Sequence, residues 1–311
     1  MDASELRALQ THVEVLGAAV DGIVGVYARD LTSGAEVALN ADMVFPLASV
    51  VKIPILYELY RQAEAGTIDL AARIPLAVDH LVPGSGVLQD LDPGLAPTVR
   101  DLATLMITVS DNVATDRILH LVGRAGVEAT MRGLGLGSIA IPMTIRGILY
   151  NTVGLDETNP AHTYDLYQQR SREKYIDWQC RAYGDADNNV ASPRDLGRLL
   201  ADIAQRQTLA APSYGAMIDI LKRQKYNTIL PLHLPEGVEV AHKTGSLRGI
   251  RNDVGIVYAP AGPYLIAVCA KRLADAVAGS AALAQISRAV WERFVGPIPP
   301  PRYGPAPEAG R

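Results

Sequence analysis

Apolar segments that suit β-strands concentrate near the two ends of this 311-residue chain, and the long stretch between them has a mostly helical pattern. Near the N-terminus, residues 22–27 and 36–39 flank a turn and predict a β-hairpin. Near the C-terminus, residues 238–244, 253–259 and 264–270 predict three more strands. This order predicts that the two ends of the chain meet in one sheet and that the middle forms an inserted lobe.

We therefore predict an α+β fold, within the broad α/β class, built on an antiparallel sheet. Apolar periodicity predicts flanking helices over residues 3–18 and 280–295. The sheet lobe comprises about residues 1–48 and 235–295, and an all-helical lobe comprises about residues 49–234. The two lobes together form a single domain.

The C-terminal end of the chain differs from this domain in composition. Residues 296–311 contain six prolines and no periodic apolar pattern. We expect them to form an extended or disordered end.

Composition excludes several classes of partner. The chain is 49% hydrophobic and has a net charge of −4, from 29 basic and 33 acidic residues, so we expect no nucleic-acid partner. No apolar run of about 18 residues is present, which predicts no membrane-spanning segment. The N-terminus lacks the pattern of a secretory signal, so the expected location is the cytoplasm. Cys180 and Cys269 have no metal or redox spacing and are expected to be buried thiols, with one disulfide between them as the alternative.

Ser49 and Lys52 lie three residues apart in an apolar segment, which places both side chains on one face of a helix. Pro46 suits a helix start, so we expect Ser49 near free backbone N–H groups that favour developing negative charge. A serine hydroxyl becomes a nucleophile beside a base, and a lysine serves when burial lowers its pKa. The pair also fits a capping serine beside a surface lysine, and the spacing alone does not decide.

A second polar motif, Ser110-Asp111-Asn112, separates two helical patterns. Asp111 in that break suits the N-cap of the following helix. Capping does not explain all three polar residues in apolar surroundings.

A third motif, Lys243-Thr244-Gly245, ends a predicted strand. A lysine there supports an anionic ligand, and the glycine permits a ligand to approach the backbone closely. An edge strand ending in a turn explains the motif equally well.

In this order, Ser-x-x-Lys, Ser-Asp-Asn and Lys-Thr-Gly form the signature of class A β-lactamases and penicillin-binding proteins. The sequence resembles the class A β-lactamase-like serine hydrolases over about residues 20–295, including the segments 84–94, 98–116 and 251–258. The resemblance implies the split fold described above and a small-molecule substrate that carries a carboxylate. We predict no metal and no organic cofactor, because the six histidines have no metal-ligand spacing.

The resemblance implies roles for the residues that perform acylation. Ser49 is the acylated nucleophile, Lys52 is its proton acceptor or relay, and Ser110 passes a proton to the leaving nitrogen. The backbone N–H groups of Ser49 and Ser246 form the oxyanion hole, and Gly245 lies beside them among the substrate-binding residues.

The resemblance also implies the groups that hold the substrate. Asn112 contacts the carbonyl of the substrate side chain, and Lys243 with Thr244 holds the substrate carboxylate. Arg251 is a candidate second anchor for that carboxylate, and Arg248 competes for the same role.

The sequence departs from the family at the residue that performs deacylation. Class A β-lactamases activate the deacylating water with a glutamate in an E-x-x-x-N pattern, which is absent from residues 140–195. Glu173 is followed by Asp177 where the asparagine is expected, and Glu157 is followed too soon by Asn159. We name Glu173 as the candidate base and Glu157 as the second candidate. The remaining alternatives are another residue or no base.

The leading hypothesis is a serine hydrolase that forms an acyl-enzyme on Ser49 and hydrolyses β-lactam amide bonds, with antibiotic resistance as the consequence. A second hypothesis is an esterase, amidase or D-amino-acid peptidase of the same family, favoured by the missing glutamate pattern. A non-catalytic receptor is the third, and it would bind its ligand without acylating Ser49. The oligomeric state stays open.

Overall fold

The computed structural model describes residues 2–298, so the predicted tail at 296–311 lies almost wholly outside the described residues. The chain begins with helix α1 (Ala3–Ala18), as predicted. Its first turn carries a capping box, in which the Asp2 side chain accepts hydrogen bonds from the Ser4 and Glu5 N–H groups.

Seven strands follow in two sheets. In chain order they are β1 (Ile23–Asp30), β2 (Glu36–Leu39), β3 (Phe45–Pro46), β4 (Val190–Ala191), β5 (Glu239–Leu247), β6 (Ile250–Ala259) and β7 (Gly262–Lys271). Five of them form an antiparallel sheet in the order β2-β1-β7-β6-β5, and β3 pairs with β4 separately. Strand β1 pairs with β7, with Val26 opposite Val268, so the two ends of the chain do meet in one sheet.

The remaining helices lie between or after these strands. They are α2 (Lys52–Glu64), α3 (Val99–Thr108), α4 (Asn112–Val122), α5 (Arg124–Gly133), α6 (Ile145–Thr152), α7 (Tyr164–Arg172), α8 (Pro193–Gln205), α9 (Ala211–Lys222) and α10 (Ala276–Phe294). The C-terminal helix therefore begins four residues before the predicted start, because Asp275 caps its N-terminus.

Alternating residues of the central strands enter two different cores. On one face of the sheet, Val268 packs with α1 and α10, whose contributions include Leu9 and Leu283. On the other face, Cys269 joins the larger core that contains the helical lobe. Because the central strands are buried on both faces, their sequences are nearly continuous apolar runs, and this is the pattern that predicts them.

The middle of the chain differs from the predicted all-helical lobe. Helix α8 packs on the sheet itself, where a Cβ atom at Gly197 would lie 2.3 Å from the ring of Tyr27. The short β3–β4 ladder is a second difference. Strand β4 lies inside the predicted helical lobe, and its partner β3 lies just before the start of that lobe. Two-residue strands have no detectable periodicity, and an amphipathic helix does not specify in sequence which layer it covers.

Candidate active site

Ser49 lies in a 3₁₀ turn (Ala48–Val51) that leads directly into α2. Ser49 therefore lies at the start of a helical segment, as expected, although Pro46 itself pairs with Val190 in the β3–β4 ladder and the segment begins two residues later. Ala48 has a φ of +45°, a left-handed conformation that is strained for a residue with a side chain. Strain of this kind is typical of functional sites, and here it immediately precedes Ser49.

The sheet holds this 3₁₀ turn in place. The buried side chain of Asn252 donates hydrogen bonds to the carbonyl oxygens of Pro46 and Leu47, at 2.9 and 3.1 Å. Gly245 lies opposite Asn252 in the β5–β6 register, and a Cβ atom at Gly245 would lie 2.5 Å from the Leu47 oxygen. The glycine of the third motif therefore admits the turn that carries Ser49, where the sequence suggested close approach of a ligand.

The Ser110-Asp111-Asn112 segment links α3 to α4. Asp111 is the N-cap of α4 and accepts a hydrogen bond from the Ala114 N–H at 2.9 Å, which confirms its predicted capping position. The second carboxylate oxygen of Asp111 accepts from two backbone N–H groups of the loop 83–88. Ser110 has a left-handed φ of +56°. These bonds fix the segment while its other two side chains turn toward Lys52.

Lys52 joins the first motif to the second. Its ammonium nitrogen lies 2.9 Å from Ser110 Oγ, 2.7 Å from the Ser110 carbonyl oxygen and 2.8 Å from Asn112 Oδ1. The side chain is completely buried. A neutral amine fits these contacts when it donates to the two carbonyl oxygens and accepts from the Ser110 hydroxyl.

Burial lowers the pKa of Lys52 well below its ordinary range, and the positive charge of Lys243 lowers it further. Burial also lowers the pKa of Lys243 to about 7, although Asp253 opposes this shift. The Lys243 ammonium donates a hydrogen bond to the Thr244 carbonyl oxygen at 2.8 Å. The two buried lysines thus lie close enough for the charge of one to lower the pKa of the other.

A cavity of about 400 Å³ opens beside these groups. The predicted site residues that line it are Ser49, Ser110, Asn112, Thr244, Ser246 and Arg251. Lys52 and Lys243 have no exposed surface and do not line it, although each is adjacent in the structure or chain to a residue that does. Three motifs that are distant in sequence therefore meet around one cavity.

The model of the Beta-lactamase enzyme family matches residues 7–294. The chain belongs to the β-lactamase enzyme family.

Among solved structures of similar proteins, a β-lactamase from Sphaerobacter thermophilus is 30% identical, with a TM-score of 0.77 over 96% of this chain and 100% of that chain. PBP-A is 29% identical, with a TM-score of 0.77 over 92% and 96% of the respective chains. The carbapenem-hydrolyzing β-lactamase KPC of Klebsiella oxytoca is 29% identical over 256 residues, which are 79% of this chain and 75% of that protein.

These similarities confirm the expected fold and the serine hydrolase class for this β-lactamase-family protein, and they indicate a small-molecule substrate. Within residues 2–298, no helix is both long and apolar enough to cross a membrane. In the same range, no group of three potential ligand side chains has the arrangement of a metal site. Cys180 and Cys269 are free thiols, although Cys180 is only half-buried.

Neither predicted glutamate lies at the cavity of this family member. Glu173 ends α7 with its side chain exposed and accepts a hydrogen bond from Gln169 at 3.0 Å. Glu157 lines a different cavity and accepts a hydrogen bond from the Thr144 hydroxyl. The structure therefore does not bring the predicted base Glu173 to the cavity at Ser49, because the helix that lines this cavity is α6, not α7.

Helix α6 forms an apolar wall of the cavity. Ile145, Ile148 and Leu149 line it, and their spacing of three and four residues places them on one helix face. No carboxylate side chain is present among the described residues that line the cavity. A water molecule at this wall therefore has no carboxylate beside it to act as a general base.

The structure distinguishes the two candidate arginines. Arg251 lines the cavity, is half-buried, and donates hydrogen bonds to the carbonyl oxygens of Leu247 and Ile250, each at 2.7 Å. It forms no ion pair with any residue from 2 to 298, so its charge is free to attract an anion. Arg248 is exposed on the β5–β6 turn and does not line the cavity. The geometry supports Arg251.

Two residues of the site were not singled out from the sequence. Ser85 lines the cavity and donates a hydrogen bond to the Ser110 carbonyl oxygen at 2.7 Å, and Asn252 anchors the 3₁₀ turn. For Ser85, the available signal in the sequence is the glycine on either side of it. For Asn252, the signal is a polar side chain within an apolar strand. Neither signal specifies a partner, since both contacts join segments that are distant in sequence.

Proposed function

We propose that this protein hydrolyses β-lactams that carry a carboxylate, through an acyl-enzyme on Ser49, and that acylation is faster than deacylation. The observation that carries the proposal is the contact of buried Lys52 with both Ser110 and Asn112 beside Ser49. Solved relatives support the class of substrate, since one PBP-A variant structure is described as an acyl-enzyme complex with penicillin G.

The side chains around Lys52 suit the acylation step. Ser49 Oγ attacks the lactam carbonyl carbon while its proton passes to the neutral amine of Lys52, whose pKa is lowered by burial. The C–N bond then breaks, and the Ser110 hydroxyl gives its proton to the leaving nitrogen. Lys52 returns a proton to Ser110 across their 2.9 Å contact, so the step is balanced.

The β5 and β6 side chains of the cavity suit a carboxylate. Thr244 and Arg251 line the cavity, and the fully buried Lys243 precedes Thr244 on β5. Arg251 and, below its pKa of about 7, the buried Lys243 supply positive charge, and no carboxylate side chain is among the described lining residues to offset it. A substrate carboxylate held there keeps its reactive carbonyl group oriented toward Ser49.

Deacylation has less support from the side chains. The step needs a water molecule that loses a proton as it attacks the ester, and α6 presents only aliphatic side chains. Lys52, with its lowered pKa, is the base that remains nearby. We therefore expect the acyl-enzyme to accumulate before it is hydrolysed.

Intact-mass measurements after mixing the protein with a penicillin, sampled from seconds to hours, test this proposal beside a nitrocefin hydrolysis assay. We expect an adduct of one penicillin mass that forms quickly and decays slowly, with turnover at the rate of decay. Absence of any adduct and of any nitrocefin hydrolysis would overturn the proposal.

The apolar α6 wall also favours a second candidate, a hydrolase of the same family that acts on an ester or amide other than a lactam. An acyl group that is itself labile needs less help from a general base. Thioester and D-peptide substrates compared with penicillin distinguish the two functions. The second candidate is favoured if these substrates turn over without an accumulated adduct while penicillin leaves a persistent one.

A further inference from the structure

A second cavity, of about 370 Å³, lies on the other side of the N-terminal turn of α6. It has no lining residue in common with the cavity at Ser49. Thr144 and Arg146 line the second cavity, whereas Ile145 between them lines the first. The two spaces are thus separate sites on opposite sides of one helix.

Basic side chains outnumber acidic ones around the second cavity. Three arginines and two histidines line it, against two carboxylates: Arg117, Arg124, Arg146, His80 and His120, with Asp116 and Glu157. Guanidinium groups are the side chains that match the planar or tetrahedral oxygens of an anion most closely.

Both carboxylates are already occupied by neighbouring donors. The buried Asp116 accepts hydrogen bonds from the N–H groups of Ile145 and Arg146, at 2.8 and 2.9 Å. Glu157 accepts from the Thr144 hydroxyl and lies 3.7 Å from the Arg146 guanidinium. The acidic groups therefore hold the start of α6 and leave Arg117 and Arg124 without a carboxylate within ion-pair distance.

Arg117 is the residue that most clearly lacks a partner. Its side chain, on α4, forms no hydrogen bond or ion pair with any residue between 2 and 298. Its Nε atom is enclosed and has no hydrogen-bond acceptor within that range. An enclosed donor without an acceptor is unfavourable, and an oxygen-bearing anion in the cavity removes that penalty.

Other donors lie around the same space. Arg146 uses one of its nitrogens for the Asp79 carbonyl oxygen at 3.0 Å, and Arg124 uses one for the Pro142 carbonyl oxygen. Nδ1 of His80 accepts a hydrogen bond from the Ala77 N–H at 3.1 Å, so in the neutral ring the proton lies on Nε2. Several side chains with N–H groups thus line one cavity.

We propose that the second cavity binds the oxyanion of a small molecule, either a phosphate or a carboxylate, with Arg117 as its main ligand. The site does not depend on the proposed reaction at Ser49. The volume suits an anionic group with a small body, and residues of α4 and of the start of α6 line the cavity.

Isothermal titration and thermal unfolding with inorganic phosphate or citrate, at constant ionic strength against chloride, test the site. We expect saturable binding of at least one anion and a higher melting temperature in its presence. Arg117→Gln removes the charge and is expected to weaken that binding about tenfold or more. Arg132→Gln removes the same charge from an exposed arginine of α5, outside the cavity, and is expected to leave binding unchanged.

Phosphate binding that Arg117→Gln weakens identifies a phosphate-bearing ligand, and selective citrate binding identifies a carboxylate-bearing one. The proposal is overturned if neither anion binds more tightly than chloride, or if Arg117→Gln and Arg132→Gln lower affinity equally. Penicillin adduct formation in the same variants reports on Ser49 separately, so failure at one site leaves the other result intact.

Discussion

The two walls of the main cavity have opposite character. On one wall, Lys52, Ser110 and Asn112 form a buried hydrogen-bonded group beside Ser49. On the facing wall, α6 presents only aliphatic side chains, including Ile148 and Leu149. The polar wall contains the groups needed to make an acyl-enzyme, and the apolar wall lacks the carboxylate that would speed its hydrolysis.

On the proposed mechanism, this difference assigns the two halves of the reaction to separate elements of the fold. Acylation would use groups of the 3₁₀ turn, the α3–α4 link and β5, which the three sequence motifs specify. Deacylation would depend on which residues of α6 line the cavity, so a single substitution there is a direct test. The following predictions test that separation.

Ser49→Ala should have the largest effect. Without the hydroxyl no ester forms, so we expect the penicillin adduct to disappear and nitrocefin hydrolysis to fall by about 10³-fold or more. Ser33→Ala, at an exposed serine of the β1–β2 turn, is the matched control and should keep full activity. Retained hydrolysis in Ser49→Ala would show that the polar wall has been assigned the wrong nucleophile.

Leu149→Glu should place a carboxylate on the apolar wall of the cavity. Leu149 and the Asn112 amide both approach the Cβ position of Gly84, at 3.3 and 2.8 Å, so a carboxylate at 149 lies near the polar wall. We expect deacylation to accelerate by at least about tenfold, with acylation much less affected, because a general base contributes to the water-attack step. Single-turnover decay of the penicillin adduct measures the rate.

Leu149→Gln is the control for that substitution, because the glutamine side chain has nearly the same shape as glutamate but carries no carboxylate that can act as a base. Equal adduct lifetimes in Leu149→Glu and Leu149→Gln would show that the aliphatic wall does not limit deacylation.

The pH dependence of binding should report on Lys243. Its pKa of about 7 is lowered by burial, so the charged form predominates below pH 7 and is lost as the pH rises through that value. We expect KM for a carboxylate-bearing penicillin to rise above pH 7, by up to about tenfold per pH unit where this charge dominates binding. The neutral ester of the same penicillin separates this effect from the titration of Lys52, which acts on both substrates. Parallel KM profiles for acid and ester would contradict the proposed clamp.

Gly245→Ala should have a smaller effect, on the support of the polar wall. An added Cβ meets the Leu47 carbonyl oxygen at 2.5 Å, so β5 and the 3₁₀ turn must separate. We expect the free energy of unfolding to fall by about 1–3 kcal/mol and the acylation rate to fall with it. Gly215→Ala, in α9 with no atom within 4 Å of the new Cβ, should instead gain about 0.5–1 kcal/mol. Denaturant unfolding measures the stability of both variants. Equal stabilities would contradict the proposed close approach of Gly245 to the Leu47 carbonyl oxygen.

Much of the fold and half of the site followed from local patterns. The strands near both ends, helix α1 and the capping position of Asp111 were predicted because each depends on periodicity or on a bond to a nearby residue. The three motifs also named most residues of the polar wall. The roles of those residues in catalysis stay predictions until the variants above are measured.

The errors concern contacts between distant segments. Glu173 was chosen by counting along the chain, and the count did not reveal that α6 occupies the cavity wall while α7 ends in solvent. Asn252 and Ser85 were overlooked for the same reason, since each hydrogen bond joins segments more than 20 residues apart.

The sequence by itself determined the strands near the two ends of the chain, the sheet that they form together, and the identity of the candidate reactive side chains. Those properties depend on residue type and short spacing, which the chain carries wherever it folds. Only the tertiary structure decided that Gly245 admits the turn that carries Ser49 and that Lys52 is buried against Ser110. It also decided that aliphatic side chains of α6 line the same cavity. Burial and proximity across the fold set these properties, because they determine which groups lose water and which lowered pKa values follow.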